Sequence, residues 1–206
     1  MKRSNPQPVS RKAERGFSVT ELVVTVAIGL VLMAIALPAF MKAYRSYQLT
    51  GAASQMADIL RLTRYEAIRR NTWENCVIGP STTDAGMTVV FADADNNSLQ
   101  NGSEKMILLG AAGNLVDAGS LPGSATANLS TAAIGGAAVV TPSPTGSSVR
   151  FDARGAVVPA GGNVPVTVFY LSGSNPDAGY RAVILMPAGS IQIWSGDAAG
   201  NWQQLR

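Results

Sequence analysis

The chain has 206 residues, 47% of them hydrophobic, which leaves room for one modest globular domain and one additional element. Its formal charge of +3 is carried by a short tail: five of the sixteen Lys and Arg precede Phe17, and the net charge from Phe17 onward is −1, which removes the compositional case for a nucleic-acid-binding protein. A single cysteine, Cys76, excludes an intrachain disulfide and reads as a small buried hydrophobe, and the absence of histidine excludes a Ser-His-Asp triad, a Cys/His pair and a His-bearing metal cluster.

The basic tail (Lys2, Arg3, Arg11, Lys12, Arg15) leads into twenty residues without a formal charge, Leu22 to Met41. At about 1.5 Å per residue these span about 30 Å, the hydrocarbon thickness of a bilayer. Positive charge before the run places Met1 in the cytoplasm and the bulk of the chain across the membrane. A cleaved secretory signal offers Ala34-Ile35-Ala36 as its processing site, but that site lies inside an apolar run longer than such signals use. A plain signal anchor fits the length and gives no reason for Glu21, a carboxylate that is costly in a bilayer. Cutting between Gly16 and Phe17 does give one, because the new α-amino group then lies one helical turn from Glu21.

Gly16-Phe17-Ser18-Val19-Thr20-Glu21 followed by an apolar run resembles the class III signal of the type IV pilin-like superfamily, which includes type IV pilins and type II secretion pseudopilins. The resemblance implies that a prepilin peptidase removes residues 1–16 after the glycine and methylates the amine of Phe17. It also implies that Glu21 guides the subunit into a fibre by pairing with a neighbour's N-terminal amine.

Beyond the run, Leu49, Ala52, Ala53, Met56, Ile59, Leu60, Thr63 and Ala67 recur at steps of three and four, with Arg61, Arg64, Arg69 and Arg70 mostly off that face. One helix of about 80 Å is therefore expected from Phe17 to about Asn71, with residues 17–41 as a transmembrane and assembly half and 42–71 as an amphipathic half. Pro38 lacks an N–H and leaves the carbonyl of Ala34 without its helical partner, so a bend or local melting is expected there. A proline in this region is also a feature of type IV pilin helices, and a tolerated membrane-helix proline is the alternative.

Residues 72–206 read as a β-rich head. Candidate strands are Glu74–Ile78, Met87–Ala92, Met106–Leu109, Val149–Asp152, Val164–Leu171, Tyr180–Pro187 and Ser190–Trp194, rich in β-branched and aromatic residues between Gly, Pro and Asn. Low-complexity residues 110–148 read as a long loop with one weak strand, Ala137–Thr141. The segments "RLTRYEAIRRN", "VVFADADNNSLQNGSE" and "VRFDARGAV" resemble the FimT/GspH branch of minor pilins and pseudopilins. That resemblance implies an α+β pilin fold, in which the second half of the helix packs on a sandwich-like head.

Asp93, Asp95, Asn97, Asn101 and Glu104 occupy positions 1, 3, 5, 9 and 12 of a calcium-loop pattern that aims alternating oxygens at one Ca²⁺. Ser98 stands where such a loop needs glycine, and the flanking segments read as strands, so a solvated hairpin loop is the alternative. Ca²⁺ is the one cofactor the sequence offers. No other catalytic or phosphate-binding pattern assembles, and an enzyme is not expected.

The expected function is that of a minor pilin or pseudopilin, a processed subunit of a type IV pilus or type II secretion pseudopilus that sits at the tip and primes assembly. Its partners would be other pilin subunits, the prepilin peptidase and the inner-membrane assembly platform. It would be a single-pass inner-membrane protein with its head in the periplasm before it enters a fibre. The alternative is an anchored or fibre-borne binding module, a DNA or surface receptor, because some FimT-like pilins bind DNA through arginines near the C-terminus. Here Ser190 and Gln192 stand at those places, and from Asn71 onward five Lys and Arg face nine Asp and Glu, so nucleic acid is not expected. Trp194 and Trp202 offer base stacking or, alternatively, packing on the head.

Overall fold

The computed structural model describes residues 16–159 and 165–205; residues 1–15 of the expected basic leader and Val164, the expected first residue of a strand, lie outside the described residues. The chain divides into two compact units, Met1–Phe40 and Met41–Arg206. Helix α1 (Val19–Arg70) contributes to both.

In the first unit the described residues are exposed throughout. The helix is long and apolar enough to cross a membrane, and none of its most apolar window is buried within the protein. A helix that is apolar on every side needs an apolar surrounding, and one whose backbone is paired internally tolerates lipid. The melting expected at Pro38 does not occur: α1 remains helical on both sides of it. Proline removes only its own N–H from the ladder, and melting the turn would unpair further backbone groups at several kcal/mol each in an apolar surrounding.

In the second unit α1 buries Leu49, Ala53, Met56, Ala57, Leu60, Thr63 and Ala67, one stripe at steps of three and four. Thr63 is polar within this stripe, and its hydroxyl donates to the carbonyl of Ile59 at 2.9 Å. The helix stops where Asn71 takes φ 51°. The amide of Thr72 then donates to the Ala67 carbonyl at 3.1 Å and that of Asn71 to the Ile68 carbonyl at 3.2 Å, a Schellman closure with asparagine in the left-handed position.

Two sheets follow. The first orders β3 (Met106–Leu109), β2 (Thr88–Asp93), β1 (Glu74–Pro80), β6 (Ser147–Phe151) and β7 (Val157–Val158), all antiparallel. The second orders β11 (Trp202–Leu205), β10 (Ile191–Gly196), β9 (Tyr180–Leu185), β8 (Val166–Ser172) and β4 (Asn114–Val116), with β5 (Val139–Val140) parallel to β8. The α1 stripe shares one core with Cys76, Ile78, Val90, Val149 and Phe151 of the first sheet and Phe169, Leu171, Val183 and Leu185 of the second. The architecture is α+β. Burial pushes the Cys76 thiol up to about 12, so it packs as an inert hydrophobe.

The expected long loop at 110–148 is corrected. It contains β4, a 3-10 turn at Ala118–Ser120, helix α2 (Gly123–Ile134) and the two-residue β5. Ala125 and Leu129 of α2 pack on the outer face of the second sheet against Val168, Tyr170, Ala182 and Ile184. Strands β8 and β9 are thus covered on both sides, which is why their residues are apolar in continuous runs. A helix of Ala, Ser, Thr and Gly has too weak a periodic signal to be read alone, and packing supplies most of its stability. The expected strand Tyr180–Pro187 ends two residues early, because the Met186 and Gly189 amides close a turn onto Ser190 and Met186.

Candidate functional site

Gly16 and Phe17 lie ahead of the helix, both exposed. The Leu22 amide donates to the Ser18 carbonyl at 3.1 Å, which makes Ser18 the N-cap and Glu21 the third helical residue. That is the spacing of a capping box, yet the Ser18 hydroxyl turns to the Thr20 hydroxyl at 2.8 Å instead. Glu21 is exposed and has no ion-pair or hydrogen-bond partner among the described residues. The positive end of the helix dipole favours its charge by about 0.3–1 kcal/mol, well short of offsetting about 2.5–3.5 kcal/mol at a bilayer centre.

The acidic loop joins β2 to β3. Carboxylate oxygens of Asp93, Asp95 and Glu104 lie within 4.8 Å of one another, with Asp93 fully buried. Asp93 accepts from the amides of Asn97 at 3.1 Å and Ser98 at 2.9 Å, and Glu104 from those of Ala94 at 2.9 Å and Asn101 at 3.0 Å. The two expected amide ligands do not aim oxygen at this point. Asn97 Oδ1 accepts from the Leu99 amide at 2.6 Å, and Asn101 donates its side-chain N–H to Asp95 at 2.7 Å. Ser98 adopts the positive φ of 59° expected to require glycine.

Two helix arginines expected to point outward instead clamp the second unit. Arg64 donates from Nε to the Gly155 carbonyl at 2.9 Å, where "RLTRYEAIRRN" meets "VRFDARGAV". Arg70 donates to the Ala94 carbonyl of the acidic loop at 2.7 Å and lies 3.2 Å from both Glu66 and the buried Glu74. Burial raises the Glu74 carboxyl, and the Arg70 guanidinium opposes that rise. The hydrogen bond from Arg69 lowers the Glu66 carboxyl.

Trp202 donates its indole N–H to the Ala125 carbonyl at 2.7 Å and tilts against Tyr170, at 6.2 Å between ring centroids, so it packs on α2. Arg181, within the apolar run of β9, was not singled out by sequence, although a lone cation in such a run is itself a signal. It is 4% exposed and bonds Thr50, Ser46 and the Tyr180 carbonyl, with no carboxylate partner among the described residues. Burial lowers its pKa.

An apolar helix with a carboxylate in its first turn, continued by an amphipathic half packed on antiparallel sheets, defines a pilin-like subunit. Residues 11–37 match the prokaryotic N-terminal methylation motif, and residues 52–189, more than half of the chain, match the type II transport protein GspH. The chain belongs to the GspH family and is a minor pilin or pseudopilin of the GspH/FimT type. A solved structure similar to it is the type IV minor pilin FimU of Pseudomonas aeruginosa strain PAO1, with 14% identity, coverage of 78% of this chain and 94% of that chain, and a TM-score of 0.44. No curated protein matches the chain significantly.

Proposed function

We propose that this chain is cut between Gly16 and Phe17 by a prepilin peptidase, methylated at Phe17, held in the inner membrane with Met1 on the cytoplasmic side, and assembled through α1 into a pilus or pseudopilus fibre with an inner-membrane platform. The observation that carries the proposal is Glu21, exposed and without a partner among the described residues, in the first turn of an otherwise apolar helix half. A neighbouring subunit's ammonium supplies the missing partner, and Pro38 lies within the assembling half. In a host with the peptidase, mass spectrometry is expected to find a mature chain beginning at N-methylated Phe17. Intact Met1, or a start at Leu37 after the Ala34-Ile35-Ala36 site, would sink this reading. The DNA-receptor reading loses one of its two candidate stacking residues, since the indole N–H of Trp202 is engaged by α2.

For the acidic loop the proposal is closure of the β2–β3 hairpin by its own carboxylates, with calcium as the rival ligand that three converging hard oxygens fit. The melting temperature of the detergent-solubilised chain is expected to be equal in millimolar calcium and in chelator. Asp93→Ala, which strands two backbone amides, is expected to lower it by about 5 °C, for a cost of about 2 kcal/mol. A rise with calcium that Asp95→Ala removes would assign the loop to the ion.

A further inference from the structure

We infer that the second unit carries a phospholipid-headgroup site directly after the apolar run, for a lipid bearing both a phosphate and a primary ammonium. The inference rests on the membrane-anchored reading above. An open cleft of about 610 Å³ is lined by Lys42, Ser46, Arg181, Asp177 and Asp197, among others. It contains cations and carboxylates that do not neutralise one another: every ion pair among the described residues lies between Asp58 and Glu74. Lys42 is exposed and has no hydrogen-bond partner there, and the Asp177 carboxylate has none either, its backbone amide alone being engaged, by Asn175 at 3.0 Å. Arg181 sets a buried positive charge in the cleft wall, held to Ser46 and Thr50 of α1. Asp197 is committed to its own turn, accepting from Asn201 and Ala199, which keeps its carboxyl below the usual carboxylate range.

Position supplies the ligand class. Lys42 is the first charged residue after the apolar run, and Lys42 to Ser46 rise about 6 Å along α1, comparable to the headgroup layer of about 5–7 Å on each side of the hydrocarbon. A phosphate in the cleft meets Lys42 and the positive potential of Arg181, and an ammonium on the same headgroup meets Asp177. A purely anionic headgroup satisfies the first and leaves Asp177 repelled.

The full chain is reconstituted in vesicles of phosphatidylglycerol mixed with either phosphatidylethanolamine or phosphatidylcholine, whose quaternary ammonium has no N–H to donate. It is then extracted in mild detergent, and the retained lipids are identified by native mass spectrometry. Phosphatidylethanolamine is expected to be enriched about fivefold over its bulk share, the scale of one charged contact near a membrane surface. Lys42→Gln and Asp177→Asn are each expected to return that share to bulk, whereas Asp84→Asn in the β1–β2 turn leaves it unchanged. No enrichment in chain that has sedimented with the vesicles overturns the headgroup site and spares the membrane reading. Failure to sediment with vesicles overturns both. Enrichment of phosphatidylglycerol, or of phosphatidylcholine to the same degree, shows that the ammonium is not read and overturns the two-ended site. Equal stabilisation by free phosphoethanolamine in detergent makes the ligand a soluble ester and overturns its assignment to a lipid.

Discussion

Glu21→Ala is expected to be inserted and cut after Gly16 as efficiently as the wild type, yet to fall about tenfold in sheared fibres at matched expression, the ratio that about 1.4 kcal/mol per subunit produces. Insertion should not suffer, because alanine removes a group that is costly in the bilayer. The loss appears only when subunits pack, since the carboxylate has no partner among the described residues of its own chain. Glu21→Gln separates charge from hydrogen bonding: it keeps an acceptor and is expected to recover only a small part of the deficit, because pairing with an ammonium draws on the charge. Incorporation of Glu21→Ala at the wild-type level would show that the carboxylate does not guide assembly, and an anchored receptor would then be the better reading.

Gly189→Ala is expected to cost about 3 kcal/mol and to lower the melting temperature of the second unit by about 10 °C. Gly189 has φ +80°, and a methyl group there overlaps the carbonyl oxygen of Gly155 and lies 2.7 Å from Arg64 Nε. Neither partner can retreat, since the same Gly155 carbonyl is the acceptor for Arg64. The turn after β9, the β6–β7 turn and α1 are thus joined at one point. Gly86→Ala provides the comparison. That residue has φ +82° with open space around its missing side chain, so only the backbone penalty of about 1 kcal/mol is expected. Equal melting temperatures for the two variants would mean that the Arg64 clamp contributes nothing beyond backbone strain.

Much of this protein is legible locally. A basic tail, Gly16-Phe17, a carboxylate at Glu21 and twenty uncharged residues are each defined by neighbours in sequence, and a membrane acts on residues one by one. The amphipathic half of α1 and most strands are similarly readable, because a repeat at steps of three and four, or a β-branched run between turn residues, needs no knowledge of its partner. The helix stop near Asn71 is local as well, since asparagine enters the left-handed region that closes a Schellman motif more readily than most residues.

Other features were decided by contacts distant in sequence. The runs "VTVFYL" and "YRAVIL" are apolar on both faces and therefore require a second cover. That this cover is α2, built from a segment with the composition of a loop, depends on Leu129 and Ala125 meeting Val168 and Ile184. Arg64 and Arg70 read from spacing as solvent-facing, but their long side chains reach carbonyls 91 and 24 residues away. The calcium pattern is visible as a spacing of oxygens, whereas the direction of each oxygen depends on which backbone amides the folded hairpin presents to it. Lys42, Asp177 and Arg181 carry no shared motif, and only the packing of β9 beside α1 brings them into one cleft. Local chemistry determined the processing motif, the apolar run and the helix, because those features are defined over a few consecutive residues. Tertiary structure decided which charges stay unpaired and which loops become walls, because those depend on distances that no sequence spacing encodes.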